Sequence, residues 1–105
     1  MKLACQLNEI FPGTGVCALL EGRQIALFRP SDAAEVFAID NRDPFFAANV
    51  LSRGLVCEHE GELWVASPLK KQHFRLSDGH CFENPAMSIA SYAVEVRDQQ
   101  VWVAV

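Results

Sequence analysis

Residues 38–79 read AIDNRDPFFAANVLSRGLVCEHEGELWVASPLKKQHFRLSDG. Two turn-forming runs stand out, Asn41-Arg42-Asp43-Pro44 and Ser67-Pro68-Leu69-Lys70-Lys71. Between them lie two strand-like runs, Leu55–His59 and Glu62–Ala66, joined by Glu60-Gly61. That order predicts a hairpin flanked at its base by two loops. A tight two-loop arrangement of this kind can hold a metal cluster, so the residues on the loops decide what the chain can do.

The rest of the sequence continues the period-two pattern. Toward the N-terminus, residues 15–20 (GVCALL) and 24–29 (QIALFR) predict a hairpin around Glu21-Gly22-Arg23. Pro30-Ser31-Asp32 ends the second strand, because proline has no N–H to give to a ladder. Residues 35–39 predict a third strand, with the imperfect alternation of a strand covered on both faces. Residues 47–54 are the one segment where a turn of helix is expected, ended by Gly54. Toward the C-terminus, His73–Leu76 and Cys81–Glu83 predict another hairpin around Ser77-Asp78-Gly79. Residues 91–97 alternate cleanly, with Tyr92, Val94 and Val96 on one face and Glu95 and Arg97 on the other. Asp98-Gln99-Gln100 turns the chain into a last strand over 101–105. Short strands with turn signals every 8–12 residues predict an all-β antiparallel sandwich or barrel with at most one short helix. No repeat, low-complexity tract or linker breaks residues 1–105, which predicts one domain.

Composition narrows the function. The net charge is −4 over 105 residues, and no basic run offers a footprint for nucleic acid. No apolar run is long enough to span a bilayer. Residues 1–9 lack the apolar core and cleavage site of a signal peptide, so a cytoplasmic protein is expected. The even number of cysteines, Cys5, Cys17, Cys57 and Cys81, raises the question of disulfides. In a cytoplasmic protein, buried free thiols are the expected answer. There is no Gly-x-Gly-x-x-Gly after a strand and no nucleophile elbow around Ser52, Ser67 or Ser77. Glu58, Glu60 and Glu62 alternate along the hairpin as a solvated face and not as an acid–base pair.

Four stretches carry a resemblance. Ala38-Ile39-Asp40-Asn41 precedes the first loop and Ser67-Pro68-Leu69 lies in the second. His73-Phe74-Arg75-Leu76-Ser77-Asp78-Gly79 follows, and Tyr92-Ala93-Val94-Glu95-Val96 comes near the end. Order and wording together resemble the Rieske domain over nearly the whole chain. A Rieske cluster takes two thiolates on one iron and two imidazoles on the other, supplied in that family as Cys-x-His and Cys-x-x-His. Placing the matching stretches in register puts Asp43 and Phe45 at the first pair and Ser67 and Lys70 at the second. The resemblance therefore implies vestigial ligand positions and no cluster, metal or catalytic centre on this chain. Asp43 and Lys70, both at former ligand positions, are expected to lie close together.

Gly15–Leu20, Asp43-Pro44-Phe45-Phe46, Val50–Gly54 and Gly61–Gln72 further resemble the small-subunit family of the NAD(P)H-dependent assimilatory nitrite reductases. That resemblance implies a non-catalytic accessory role in reducing nitrite to ammonium. It also implies a partner, the large subunit of nitrite reductase, which would carry the flavin, the iron–sulfur cluster and the siroheme. Two other readings compete: a Rieske-type ferredoxin carrying electrons, and a stand-alone Rieske-like protein-binding module.

One alternative set of metal-binding residue types lies off the loops. Cys57-Glu58-His59 is a Cys-x-His by sequence, but it lies on a predicted strand between the loops, and Asn84 stands where a matching histidine after Cys81 would be. His73 and His80 could complete an irregular zinc set with Cys57 and His59, without regular ligand spacing. On the loops themselves, one of Phe45 and Phe46 is expected to turn inward and fill volume, and the other to stay out as an interface anchor. Phe45, Phe46, Arg53, Lys70 and Lys71 are the candidate partner-binding residues, with Arg42 nearby, for an acidic partner surface.

Overall fold

A computed structural model describes all residues, Met1–Val105. The chain is all-β, with twelve strands, three 3-10 turns and no α-helix. In chain order the strands are β1 (Lys2–Gln6), β2 (Thr14–Leu20), β3 (Arg23–Arg29), β4 (Phe37–Asp40), β5 (Arg42–Asp43), β6 (Ala48–Asn49), β7 (Leu55–His59), β8 (Glu62–Ala66), β9 (His73–Arg75), β10 (Ser91–Tyr92), β11 (Val94–Arg97) and β12 (Gln100–Val103).

The central sheet has the order β10-β4-β3-β2, and every neighbouring pair is antiparallel. Side chains on a strand alternate between its two faces, yet Ile25, Ala26, Leu27 and Phe28 of β3 are all buried. The reason is a second layer on each side. Ile25, Leu27 and Ala38 pack with Leu7, Ile10, Val101 and Val103, under the sheet β1-β12-β11. Ala26, Phe28 and Ile39 pack with Leu51, Val65, Phe74, Leu76 and Cys81, under the sheet β7-β8-β9. The arrangement is therefore a sheet covered on both faces, which explains why β3 and β4 do not alternate in sequence.

The hairpin turns fall where glycine predicted them. Glu21-Gly22 and Glu60-Gly61 adopt left-handed backbone, with φ of 52° and 74° in the first and 52° and 79° in the second, as two-residue hairpin turns require. The β7–β8 hairpin pairs Leu55 with Ala66 through to His59 with Glu62.

Five expectations change in the folded chain. Residues 47–54 form β6 and a 3-10 turn at Leu51–Arg53 in place of a helical turn. Gly54 ends that turn in extended backbone, with φ −75° and ψ 172°. Its lack of a side chain matters for packing, since a Cβ would lie 2.4 Å from the Ala66 carbonyl oxygen and 2.6 Å from Val65. The third strand spans Phe37–Asp40, two residues shorter at its start than expected. The alternating run 91–97 is split at Ala93 between β10, which pairs with β4, and β11, which pairs with β12. One pattern thus serves two sheets. Residues 81–83 give only a bridge between Cys81 and Phe74, because the Glu83 carboxyl takes the His73 N–H at 2.7 Å where a strand would offer a carbonyl. Finally, the N-terminal residues form β1, which adds an edge to β12 with Leu3 opposite Trp102.

All four cysteines are free. Only Cys81 is fully buried; Cys5 and Cys57 are half-buried and Cys17 is exposed on β2, an outer strand of the central sheet.

Candidate functional site

The first loop leads from β4 to β7 and the second from β8 to β9, and buried polar side chains fix them. Asn41, 1% exposed, ends β4 and begins the first loop. Its Oδ1 accepts the Ser52 N–H at 2.7 Å and its Nδ2 donates to Gln24 Oε1 at 3.3 Å. Its backbone N–H donates to the Gln24 carbonyl at 3.1 Å, and its carbonyl accepts the Leu51 N–H at 3.1 Å. One side chain thereby ties both ends of the 41–54 loop to β3. The sequence showed Asn41 only as a turn former; its position directly after an apolar strand was the available signal of an anchor.

Asp43 joins the loops. It is completely buried, as is Ser67 at 1% exposure. Asp43 Oδ1 accepts the Phe45 N–H at 2.8 Å, which closes the turn over Pro44. Asp43 Oδ2 accepts the Ser67 hydroxyl at 2.6 Å. Ser67 in turn accepts the Leu69 N–H at 3.2 Å, and its own N–H donates to the Gln72 carbonyl at 2.8 Å. The second loop is thus folded back on itself at the point where it meets the first. The expected closeness of Asp43 and Lys70 gives no ion pair. Lys70 is exposed, with its Nζ 5.8 Å from the centre of the Phe46 ring, while Ser67 satisfies the buried carboxyl.

The two phenylalanines divide as their surroundings demand. Phe45 turns inward against the second core cluster and meets Phe74 edge-on, with ring centres 6.4 Å apart. Phe46 stays 42% exposed under Lys70. Arg53, in the 3-10 turn, and Lys71, next to Lys70 in sequence, are also exposed. The structure therefore brings Phe45, Phe46 and Lys70 onto the same pair of loops.

The loops do not suit a two-iron cluster. Such a cluster needs two thiolates and two imidazoles, and residues 41–54 and 67–72 contain neither cysteine nor histidine. The Asp43 carboxyl is already hydrogen-bonded through both oxygens, and Phe45 is packed into the core.

The Cys57-x-His59 pair faces elsewhere, along the open side of the hairpin. Cys57, His59, Trp64, His73 and Phe82 border a pocket of about 340 Å3. No three cysteine, histidine or acidic side chains converge anywhere in the chain as metal ligands would. His80 stands edge-on to Trp64, with centres 6.4 Å apart. His73 Nδ1 lies 2.6 Å from Glu83 Oε2. Partial burial pushes the Glu83 carboxyl up, but the His73 backbone N–H and imidazole outweigh it and hold it below its ordinary value. Arg75 bridges Asp78 at 2.6 Å and Glu62 at 2.8 Å. Hydrogen bonding to Arg75 holds the Asp78 carboxyl down. These are structural ion pairs at the hairpin's outer face.

Residues 2–104 match the Rieske-like [2Fe-2S] domain family. The chain is 62% identical over 94 residues to the Nitrite reductase (NADH) small subunit of Salmonella typhimurium, covering 90% of this chain and 87% of that protein. The chain belongs to the Rieske-like family of nitrite reductase small subunits. The NMR structure of the Escherichia coli protein NirD superimposes on it with a TM-score of 0.90 at 57% identity, covering 97% of this chain and 93% of the other. A third member of this family is embedded in a longer protein. The Nitrite reductase [NAD(P)H] large subunit of Klebsiella oxytoca is 44% identical over 99 residues, which are 94% of this chain but 10% of that one. No helix of this chain is long and apolar enough to cross a membrane.

Proposed function

We propose that this chain is the non-catalytic accessory small subunit of a cytoplasmic, assimilatory NAD(P)H-dependent nitrite reductase, working only when bound to the large subunit. The observation that carries this reading is the occurrence of one domain in two settings. It is a separate chain in the Salmonella typhimurium small subunit and a tenth of the Klebsiella oxytoca large subunit. A domain found both joined to and separate from the reductase is a domain whose work is done against it. In this reading nitrite is reduced to ammonium on the large subunit, where flavin, iron–sulfur cluster and siroheme reside. Asp43, Phe45, Ser67 and Lys70 stand at former ligand positions of a cluster-binding frame. The frame is kept for its shape.

Support for an accessory role comes from the loops, where side-chain hydrogen bonds and an inward aromatic occupy the ground between them. The test is co-expression with the large subunit. The two chains should co-purify, iron should track the large subunit, and removing this chain should lower nitrite-dependent oxidation of NAD(P)H. If no complex forms and activity is unchanged without this chain, the reading is wrong.

A further inference from the structure

The small subunit has nine lysines and arginines, and five of them are engaged. Lys2 pairs with Glu21 at 2.9 Å, Arg75 with Glu62 and Asp78, and Arg97 with Glu95 at 3.2 Å. Arg23 donates to the Tyr92 hydroxyl, and Arg29 donates to three backbone carbonyls. The other four are Arg42, Arg53, Lys70 and Lys71. All are exposed and none has an ion pair or a side-chain hydrogen bond. All four sit on the two loops. The only acid there is Asp43, which is buried and bonded to Ser67. A chain of net charge −4 therefore carries all its unpaired cations on these two loops.

Left-handed backbone recurs at the turns of the chain, those of the two loops included. Seven residues other than glycine have positive φ. Glu21, Glu60, Asp98 and Gln99 are at hairpin turns, where such backbone is required. The remaining three lie in the longer hairpin connections of the two loops: Ala47, at 52°, between β5 and β6, and the successive Lys70 and Lys71, at 57° and 61°, between β8 and β9. For residues with a Cβ this conformation costs free energy, and it persists only where the surroundings over-determine it. In the second loop both lysines lie in the turn that carries the chain from β8 to β9. Next to Ala47 in the chain and beneath Lys70 lies the half-exposed Phe46, a side chain of the kind that anchors interfaces.

From this placement we infer that the two-loop end is the surface that docks on the large subunit, and that it meets an acidic patch there. Arg42, Arg53, Lys70 and Lys71 steer the approach, and Phe46 seats in an apolar depression within that patch. This inference rests on the proposed partnership and adds where and by what chemistry the contact is made. Unpaired exposed cations raise association rates chiefly through long-range attraction, which salt screens. The buried aromatic acts mainly on dissociation.

The experiment measures association of the full small subunit with purified large subunit at low and physiological salt. Lys70→Gln/Lys71→Gln removes two charges at the loops. Ala33→Glu/Gln99→Glu shifts net charge by the same amount on exposed residues elsewhere. The loop variant should associate about tenfold more slowly at low salt and lose most of the salt dependence, while the control behaves as wild type. Phe46→Ala should leave association unchanged and speed dissociation. Near-UV circular dichroism checks that each variant is folded. Equal slowing by the loop and control pairs would show net charge, and not this surface, at work. Wild-type binding by both the loop pair and Phe46→Ala would place the interface on another face. Failure of the wild-type chain to bind at all would overturn the partnership itself.

Discussion

Ser67 donates its hydroxyl to Asp43 across 2.6 Å, between two buried side chains 24 positions apart in the chain. This bond joins the two loops where they meet. Leaving a buried acceptor unsatisfied costs about 1–3 kcal/mol. Ser67→Ala should therefore destabilise the domain by that amount in urea unfolding. Asp43→Ala should cost at least as much, since it also strands the Phe45 N–H. Asp43→Asn keeps an oxygen for Phe45 and an amide N–H for Ser67, and should cost less than Asp43→Ala. A Ser67→Ala variant as stable as wild type would remove the bond from the account.

The aromatic residues of the loops should separate by burial. Phe74 is fully buried, Phe45 half-buried against it, and Phe46 half in solvent. Truncating a buried phenylalanine costs about 3–5 kcal/mol. Phe74→Ala should fall in that range, Phe45→Ala below it, and Phe46→Ala within about 0.5 kcal/mol of wild type, as for exposed sites. Thermal melts of the three single variants give the order. If Phe46→Ala were as damaging as Phe45→Ala, the inward and outward assignments would have to be exchanged.

Acid should weaken the hairpin's outer face first. Asp78 and Glu83 both hold their protons less readily in the fold than in the unfolded chain. Their contribution is full above the ordinary carboxyl values near about 4. It is lost as the pH falls through the lowered folded values. Stability measured against pH should thus drop below about pH 4–5, and the drop should be shallower in Asp78→Asn and Glu83→Gln. Arg75 stays charged throughout, its pKa raised by hydrogen bonds to Asp78 and then Glu62. Profiles of the two variants that ran parallel to wild type would contradict these assignments.

Restoring the ligands tests the register of the two loops. Asp43→Cys, Phe45→His, Ser67→Cys and Lys70→His together would supply two thiolates and two imidazoles in the Rieske pattern. Reconstituted with iron and sulfide, the fourfold variant should gain visible absorption and about two irons per chain. The same substitutions moved by one residue should not. A folded fourfold variant that stayed colourless would mean that the positions are misaligned.

Much of this fold was legible because its signals are local. The Glu21-Gly22 and Glu60-Gly61 turns follow from the backbone freedom of glycine, and the hairpins around them follow from the turns. The inward and outward faces of Val94–Arg97 were readable from alternation, and structure keeps them. The run 91–97 nevertheless serves two sheets, because nothing in an alternating pattern says which neighbour a strand will find. The strand β1 has no local signal for a similar reason. Its five residues are exposed or half-buried and are ordered by pairing with β12, at the other end of the chain.

The same division holds at the loops. By itself the sequence determined that residues 41–54 and 67–72 have no cysteine or histidine with which to hold a cluster, because the identity of a donor atom is a property of the residue. It also determined which cations and aromatics the loops carry. Tertiary structure alone decided their use. Asp43 bonds to Ser67 and not to Lys70, Phe45 turns in while Phe46 stays out, and four cations are left without an ion pair. The physical reason is that a buried carboxyl is satisfied by whichever donor the packing of the two loops brings within reach, and that packing is set by β3, β4 and the β7–β8 hairpin acting together.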